Sequence, residues 1–204
     1  DTNAPQVGTT QFSNSFTLGS FNLLKDNFSF RHSQENFNLN VSYNHLETDG
    51  FRQNNRFERD GILLTSALRI SKKDKLDFLF SHIDYTAQIP STINSNDFNE
   101  DPRRAAANWL AAQGFEANAY TLAGLTYTHA FNAKLNAKAS VFYTYLDHFE
   151  PRPFNILDEF TNGFGFRTVF NGKAGKGSYS FGSELYKDEY NWGTFQNLFE
   201  QNNG

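Results

Sequence analysis

The chain has 204 residues, a net charge of −4 at pH 7 and a mean hydropathy of −0.61, with no cysteine and no methionine. Its acidic balance gives no footing for nucleic-acid binding, and the missing thiols exclude disulfide frameworks, zinc knuckles and cysteine nucleophiles. No run approaches the length of a membrane-spanning helix, which leaves open a membrane barrel built from strands with a polar inner side.

The first ten residues, "DTNAPQVGTT", hold neither a basic region nor an apolar run, so no secretory leader is expected there. Without an initiating methionine the chain is expected to be processed or internal to a longer one. Alternating runs then follow one another. Residues 11–18 set Phe12, Phe16 and Leu18 on one side, and 21–32 set Phe28 and Phe30. In "NFNLNVSYNH" (36–45), Phe37, Leu39, Val41 and Tyr43 alternate with Asn38, Asn40, Ser42 and Asn44. Side chains of a strand point to opposite faces in turn, so this run has one apolar and one wet face. Residues 60–71 carry Ile62, Leu64, Leu68 and Ile70, and 75–86 carry Leu76, Phe78 and Phe80. Residues 119–131 carry Leu125, Tyr127 and Phe131; 134–147 carry Leu135, Ala137, Ala139, Val141, Tyr143 and Tyr145. Residues 158–170 carry Phe160, Phe164, Phe166 and Phe170, and 177–190 carry Tyr179, Phe181 and Leu185. Arg69, Asp77, Lys138 and Glu184 lie mid-run on the opposite side.

These nine predicted strands run about 10–13 residues, against the roughly 5–6 usual in globular sheets, and a tilted strand crosses a bilayer in about 9–11. Their connections alternate. "SQEN" (33–36), "SKKDK" (71–75), "FNAK" (131–134) and "NGKAGKG" (171–177) are tight, while 46–59, 87–118 and 148–159 are long; only the first connection, near Gly19, is short on the long side. Tight turns at one end and large loops at the other are the outer-membrane pattern, and a soluble sandwich has no reason to sort its loops so. Aromatics near strand ends, Tyr43, Tyr85, Tyr143, Tyr145, Phe131 and Phe170, suit interfacial girdles or plain strand preference. One stretch is helical: "DPRRAAANWLAAQGF" (101–115), with Pro102 expected at its start and Gly114 at its end.

Four stretches carry a family resemblance: "VSYNHLETDGFRQNNRFERDGILLTSAL" (41–68), "LDFLFSHIDYTAQIPSTI" (76–93), "NEDPRRAAANWLAAQGFEANAYTLAGLTYTH" (99–129) and "YLDHFEPRPFNILDEFTNGFGFRTVF" (145–170). In this order they resemble the barrel domain of a TonB-dependent outer-membrane receptor, of the ferric-siderophore, iron-dicitrate-receptor-like kind found in Bacteroidetes. The resemblance covers essentially the whole chain. It implies an all-β, antiparallel up-and-down meander, part of a 22-stranded transmembrane barrel, with one short helix in the longest extracellular loop. Residues 1–204 would be a partial barrel domain, the early strands after an N-terminal plug, with plug and remaining strands absent. The parent would bind an iron–siderophore-like complex at the cell surface and import it with energy from the TonB complex, reached through that plug. Outer-membrane lipid would surround the barrel, no cofactor is implied, and the protein would not be an enzyme.

The resemblance directs attention to loop arginines. Anionic siderophore complexes carry carboxylates or catecholates, and a guanidinium offers them a planar fork of donors. Candidate ligand residues are the loop arginines Arg52, Arg56, Arg59, Arg103, Arg104 and Arg152, with Trp109, Phe115, Phe149 and Phe154 expected to pack against the ligand's apolar or aromatic parts. The competing reading pairs the arginines with Glu100, Asp101, Glu150 and Asp158. The five histidines, His32, His45, His82, His129 and His148, show no metal spacing, although His45 and His148 sit near loop starts. "NGKAGKGS" (171–178) fails as a phosphate loop, no Gly-x-Ser-x-Gly elbow occurs, and "SNDFNEDP" (95–102) lacks calcium-loop spacing. Two other architectures stay open. A small complete barrel, an adhesin or lipid-modifying protein, would pair its first and last strands; a secreted glycan-binding sandwich would pack the apolar faces together.

Overall fold

The computed structural model describes residues 7–199. Among these, nine strands form one antiparallel sheet in sequence order. They are β1 Thr10–Gly19, β2 Leu23–Ser33, β3 Phe37–Thr48, β4 Phe57–Arg69, β5 Asp74–Gln88, β6 Phe115–Asn132, β7 Leu135–Pro151, β8 Ile156–Ala174 and β9 Gly177–Phe195. All nine alternating runs of the sequence are strands. Several extend beyond the expected length, to 19 residues in β8 and β9. The expected long loop 148–159 is therefore mostly strand, and only 152–155 connect β7 to β8. The four connections at one end, 34–36, 70–73, 133–134 and 175–176, are all tight; residues 49–56 and 89–114 rise from the other end. The strands extend because hairpin pairing continues as far as residues exist to pair, from Leu135↔Gly172 to Pro151↔Ile156. At 175–176, Gly175 takes φ +59°, a left-handed conformation that a glycine adopts without strain.

The longest connection holds two short helices, α1 Ser95–Glu100 and α2 Ala107–Ala112, rather than the single expected one. Pro102 lies between them. It follows Asp101 in a turn closed by Arg104 N–H donating to Asp101 O at 3.1 Å, with the Asp101 carboxylate accepting from Arg103 N–H at 3.0 Å. An Asp-Pro pair starts β-turns as readily as helices, which explains the difference. Asn94 caps α1 by accepting from Asp97 N–H at 2.9 Å, and Gln113 ends α2 with φ +47°.

Register sorts the two faces. Following paired residues from Phe12 gives Phe30, Val41, Leu64, Phe80, Ala123, Tyr143, Phe164 and Lys187. Every apolar run thus falls on one side of the sheet, as one band. The band is oblique. That row starts at the turn-side limit of the β1 run and ends past the loop-side limit of the β9 run. The band slides by about one residue per strand, which at ~3.4 Å per residue and ~4.8 Å between strands is a tilt of roughly 35°. The opposite face carries Ser, Asn and Thr, joined in cross-strand pairs such as Ser13–Ser29 and Thr126–Ser140, both 2.8 Å. Tyr85, expected among the girdle aromatics, lies on this polar face, because its odd position in β5 pairs with Arg59 and Asn118.

No second layer covers either face. The accessible surface is 13448 Å², where a compact protein of this mass exposes about 9,700 Å². The one apolar residue buried among those described is Ala105, in the helical loop. Val141 is 53% exposed and Phe164 65%, both mid-band. Among the described residues there is one sheet, and no second sheet packs on it as a sandwich requires. Closure into a small barrel is absent among the described residues, since β1 pairs only with β2 and β9 only with β8.

Candidate functional site

The loop end of the sheet is built from two connections that lock together. The strand ends bring residues 49–56 beside 89–114, and polar side chains of the first satisfy main-chain groups of the second. Arg52 donates from Nε and Nη2 to Arg104 O, at 3.2 and 2.8 Å, and from Nη1 to Ser91 O at 2.7 Å. Asn54 donates from Nδ2 to Ile89 O and Gly114 O, at 2.9 and 2.8 Å, from a left-handed backbone with φ +51° that asparagine tolerates. Gln53 N–H donates to Arg103 O at 2.7 Å, and Arg103 Nε returns a bond to Phe51 O at 3.2 Å while its guanidinium lies 6.0 Å over the Phe51 ring. Irregular backbone at a surface needs such partners for its carbonyls.

Three of the sequence-predicted residues, Arg52, Arg103 and Arg104, are therefore brought together. Arg104 also donates to Asp97 at 2.7 Å and reaches Glu100 at 3.4 Å, joining α1 to the turn after it. Beside it, Gln53, Ile93, Asp97, Arg104 and Leu110 line an open cleft of 530 Å³. Trp109 lies in the same loop against Gly114, where an added Cβ would stand 2.4 Å from the indole. Arg56 stays apart at the start of β4, paired with Glu58 at 2.9 Å and Glu47 at 3.5 Å. Arg152 and Phe154 sit on the neighbouring β7–β8 connection. The Arg152 guanidinium holds Glu150 through two contacts of 2.7 Å and lies 5.7 Å over the Phe154 ring, and Phe154 is 68% exposed. The two loop groups meet where Phe115 and Phe149 approach with ring centres 6.1 Å apart.

Below the loops a polar row crosses the polar face: Arg59, Tyr85, Asn118, His148 and Glu159, each paired with the next. Tyr85 donates to Glu116 at 2.9 Å, Asn118 Nδ2 donates to the Tyr85 hydroxyl at 2.9 Å, and His148 Nδ1 donates to Asn118 Oδ1 at 2.8 Å. Arg59 donates from Nη2 to Asn44 at 2.9 Å, while its Nε has no partner and the residue lines a cleft of 330 Å³. Sequence reasoning singled out Arg59 and His148 separately and missed the row that joins them. Its signal was parity: positions 59, 85, 118, 148 and 159 share a face only once the register of four hairpins is known. Of the two histidines near loop starts, His148 joins this row and His45 pairs with Asp60 on the other face at 3.0 Å. Among the described residues no group of three or more His, Asp or Glu is placed to hold a metal ion.

No known family profile matches this chain, and no curated protein sequence matches it. Solved structures do. The ferric-catecholate import receptor Fiu of E. coli K12, in its open form, superposes with a TM-score of 0.72 at 12% identity, over 91% of this chain and 35% of that one. The siderophore receptor PiuA of Acinetobacter baumannii gives 0.74 at 10% identity, over 94% and 32%. The ferric citrate transporter FecA, unliganded, gives 0.67 at 14%, over 92% and 30%. The chain spans about a third of the length of the structures it matches. At these identities the likeness is one of fold: the nine-stranded sheet is similar to a stretch of each of these receptor and transporter structures.

Proposed function

We propose that the chain is part of the barrel of a TonB-dependent outer-membrane receptor that binds and imports an iron–siderophore-like complex. The observation that carries this reading is the oblique apolar band on an open sheet whose connections are all tight at one end, while both long connections, 49–56 and 89–114, rise from the other. In that reading the band faces lipid, the polar face lines the lumen, the tight turns are periplasmic and the loop cluster is extracellular. The likeness to Fiu, PiuA and FecA supports it. Further strands of the same polypeptide, to a total of 22, would continue from the free edges of β1 and β9, and a plug would carry the TonB contact. The chain performs no chemistry on the ligand and needs no cofactor.

Arg103, Arg104, Arg56 and Arg152 would meet ligand oxygens, and Trp109 and Phe154 would pack on its apolar parts. Arg52 would hold the loop that presents them. The test is binding of ferric citrate and of a ferric tris-catecholate to the purified full-length receptor, followed by tryptophan fluorescence. A receptor of this kind binds at least one of them, and an Arg103→Ala, Arg152→Ala double variant loses at least tenfold in affinity, since bonds to charged groups contribute about 1.5–3 kcal/mol each. Binding of neither complex, with growth on limiting iron unchanged by deletion of the gene, would overturn the proposal.

A further inference from the structure

Lysine and arginine are sorted between the two ends of the sheet. The loops carry Arg52, Arg56, Arg103, Arg104 and Arg152, each bonded to a carboxylate or a main-chain carbonyl. The turns carry Lys72, Lys73, Lys134 and Lys176, all exposed. Among the described residues, none of these lysine ammonium groups has an ion-pair partner. The nearby acids are committed elsewhere, Asp74 to His129 at 2.7 Å and Asp77 to Lys75 at 2.6 Å. Within the turns themselves Glu35 is the one acid. The lysines also keep a fixed distance from the apolar band. On this side the band ends at Ile70, Phe131 and Tyr179, all exposed, and a lysine follows each one two or three residues further out. The border is aromatic: Phe131 meets His129 edge-on with centres 4.8 Å apart, and Phe181 stacks on Phe170 at 5.2 Å. Two or three residues of strand are roughly 7–10 Å, which a tilt of about 35–45° reduces to roughly 5–8 Å of depth. The headgroup layer on each side of a bilayer is about 5–8 Å thick. At the opposite border the sign is reversed, since the paired row Asp26, His45, Asp60 and Asp84 crosses the apolar side there.

Taking the barrel reading above as its premise, we propose that Lys72, Lys73, Lys134 and Lys176 bind the phosphates of anionic phospholipids in the leaflet on the turn side, and that the acidic border on the loop side gives such lipids no hold. Depth and charge both fit this occupant: the aromatic border sits where acyl chains end, and the unpaired ammonium groups sit where phosphates begin. Lysine suits the task. It is a compact charge on a flexible stem that follows a mobile headgroup while its methylenes rest on the apolar border, whereas the fork of an arginine is matched to a fixed partner.

A fluorophore on single cysteines of the full-length receptor tests this. The receptor is freed of other accessible thiols and held in vesicles of equal parts phosphatidylglycerol and phosphatidylcholine. Ala133→Cys reports on the turns, Thr86→Cys on the loop-side border and Val141→Cys on the apolar band. Phosphatidylglycerol spin-labelled near its headgroup should quench the Ala133→Cys label at least about threefold more than the matching phosphatidylcholine does. Changing Lys72→Gln, Lys73→Gln, Lys134→Gln and Lys176→Gln together should erase that preference, and at Thr86→Cys the two lipids should quench alike. Mid-chain labels on either lipid should quench Val141→Cys. Equal quenching at Ala133→Cys, or a preference that survives the lysine changes or recurs at Thr86→Cys, would overturn the lipid proposal; the barrel then stands if Val141→Cys is quenched. A preference erased by inorganic phosphate but not by chloride of equal ionic strength would mark a site for a free anion and overturn it too. No quenching of Val141→Cys by either lipid would overturn the barrel reading and the lipid proposal with it.

Discussion

At Arg52 one guanidinium joins two connections through three bonds to main-chain carbonyls. A lysine keeps the charge but lacks the planar fork that reaches Ser91 O and Arg104 O together. Arg52→Lys should therefore free residues 89–114 from 49–56, and limited proteolysis within 89–114 of the full-length receptor should rise at least tenfold, since one lost charge-assisted bond costs about 1.5–3 kcal/mol. Unchanged cleavage would show that Asn54 and Gln53 hold the loop without it.

A strand acts here through its parity. On β7, Lys138 and Val141 are three positions apart and therefore face opposite ways. In the full-length receptor Val141→Arg should lower folding stability into lipid by about 2–4 kcal/mol, and Val41→Arg on β3 should do the same, whereas Lys138→Ala on the polar face should change it little. Equal, mild effects at all three positions, measured by reversible denaturation in vesicles, would reverse or erase the assignment of faces. Parity also explains why the nine strands were legible: each run repeats every two residues over enough length that turns and helices could not imitate it. The helices of the longest loop were less legible. "NEDPRR" fits a helix start and a β-turn equally well, and only the bonds of Asp101 choose the turn.

For the whole molecule the open edges decide behaviour. Among the described residues, the outer edges of β1 and β9 pair with no further strand and lie beside an apolar band, a template for association with other strands. Produced alone and placed in detergent, residues 7–199 should give polydisperse oligomers by light scattering, and no band that shifts on heating as closed barrels do. A discrete, heat-modifiable monomer would mean that β1 and β9 pair after all, and would restore the small complete barrel.

The sequence by itself determined the strands, their faces, the tight turns at one end and two of the three long connections expected at the other, because period-two alternation and turn chemistry are local properties; that 148–159 is mostly strand was decided by the pairing of β7 with β8. It placed Arg52, Arg103, Arg104, Arg152, Trp109 and Phe154 at the loop end by the same means. What each side chain touches was decided only in the tertiary structure. Arg52 meets a backbone 52 residues away through two docked loops, and the row from Arg59 to Glu159 exists only through the register of successive hairpins. The obliquity of the apolar band is of the same kind. It is written in no single strand, and arises because each hairpin shifts the run by about one residue against its neighbour, the stagger that a tilted sheet requires.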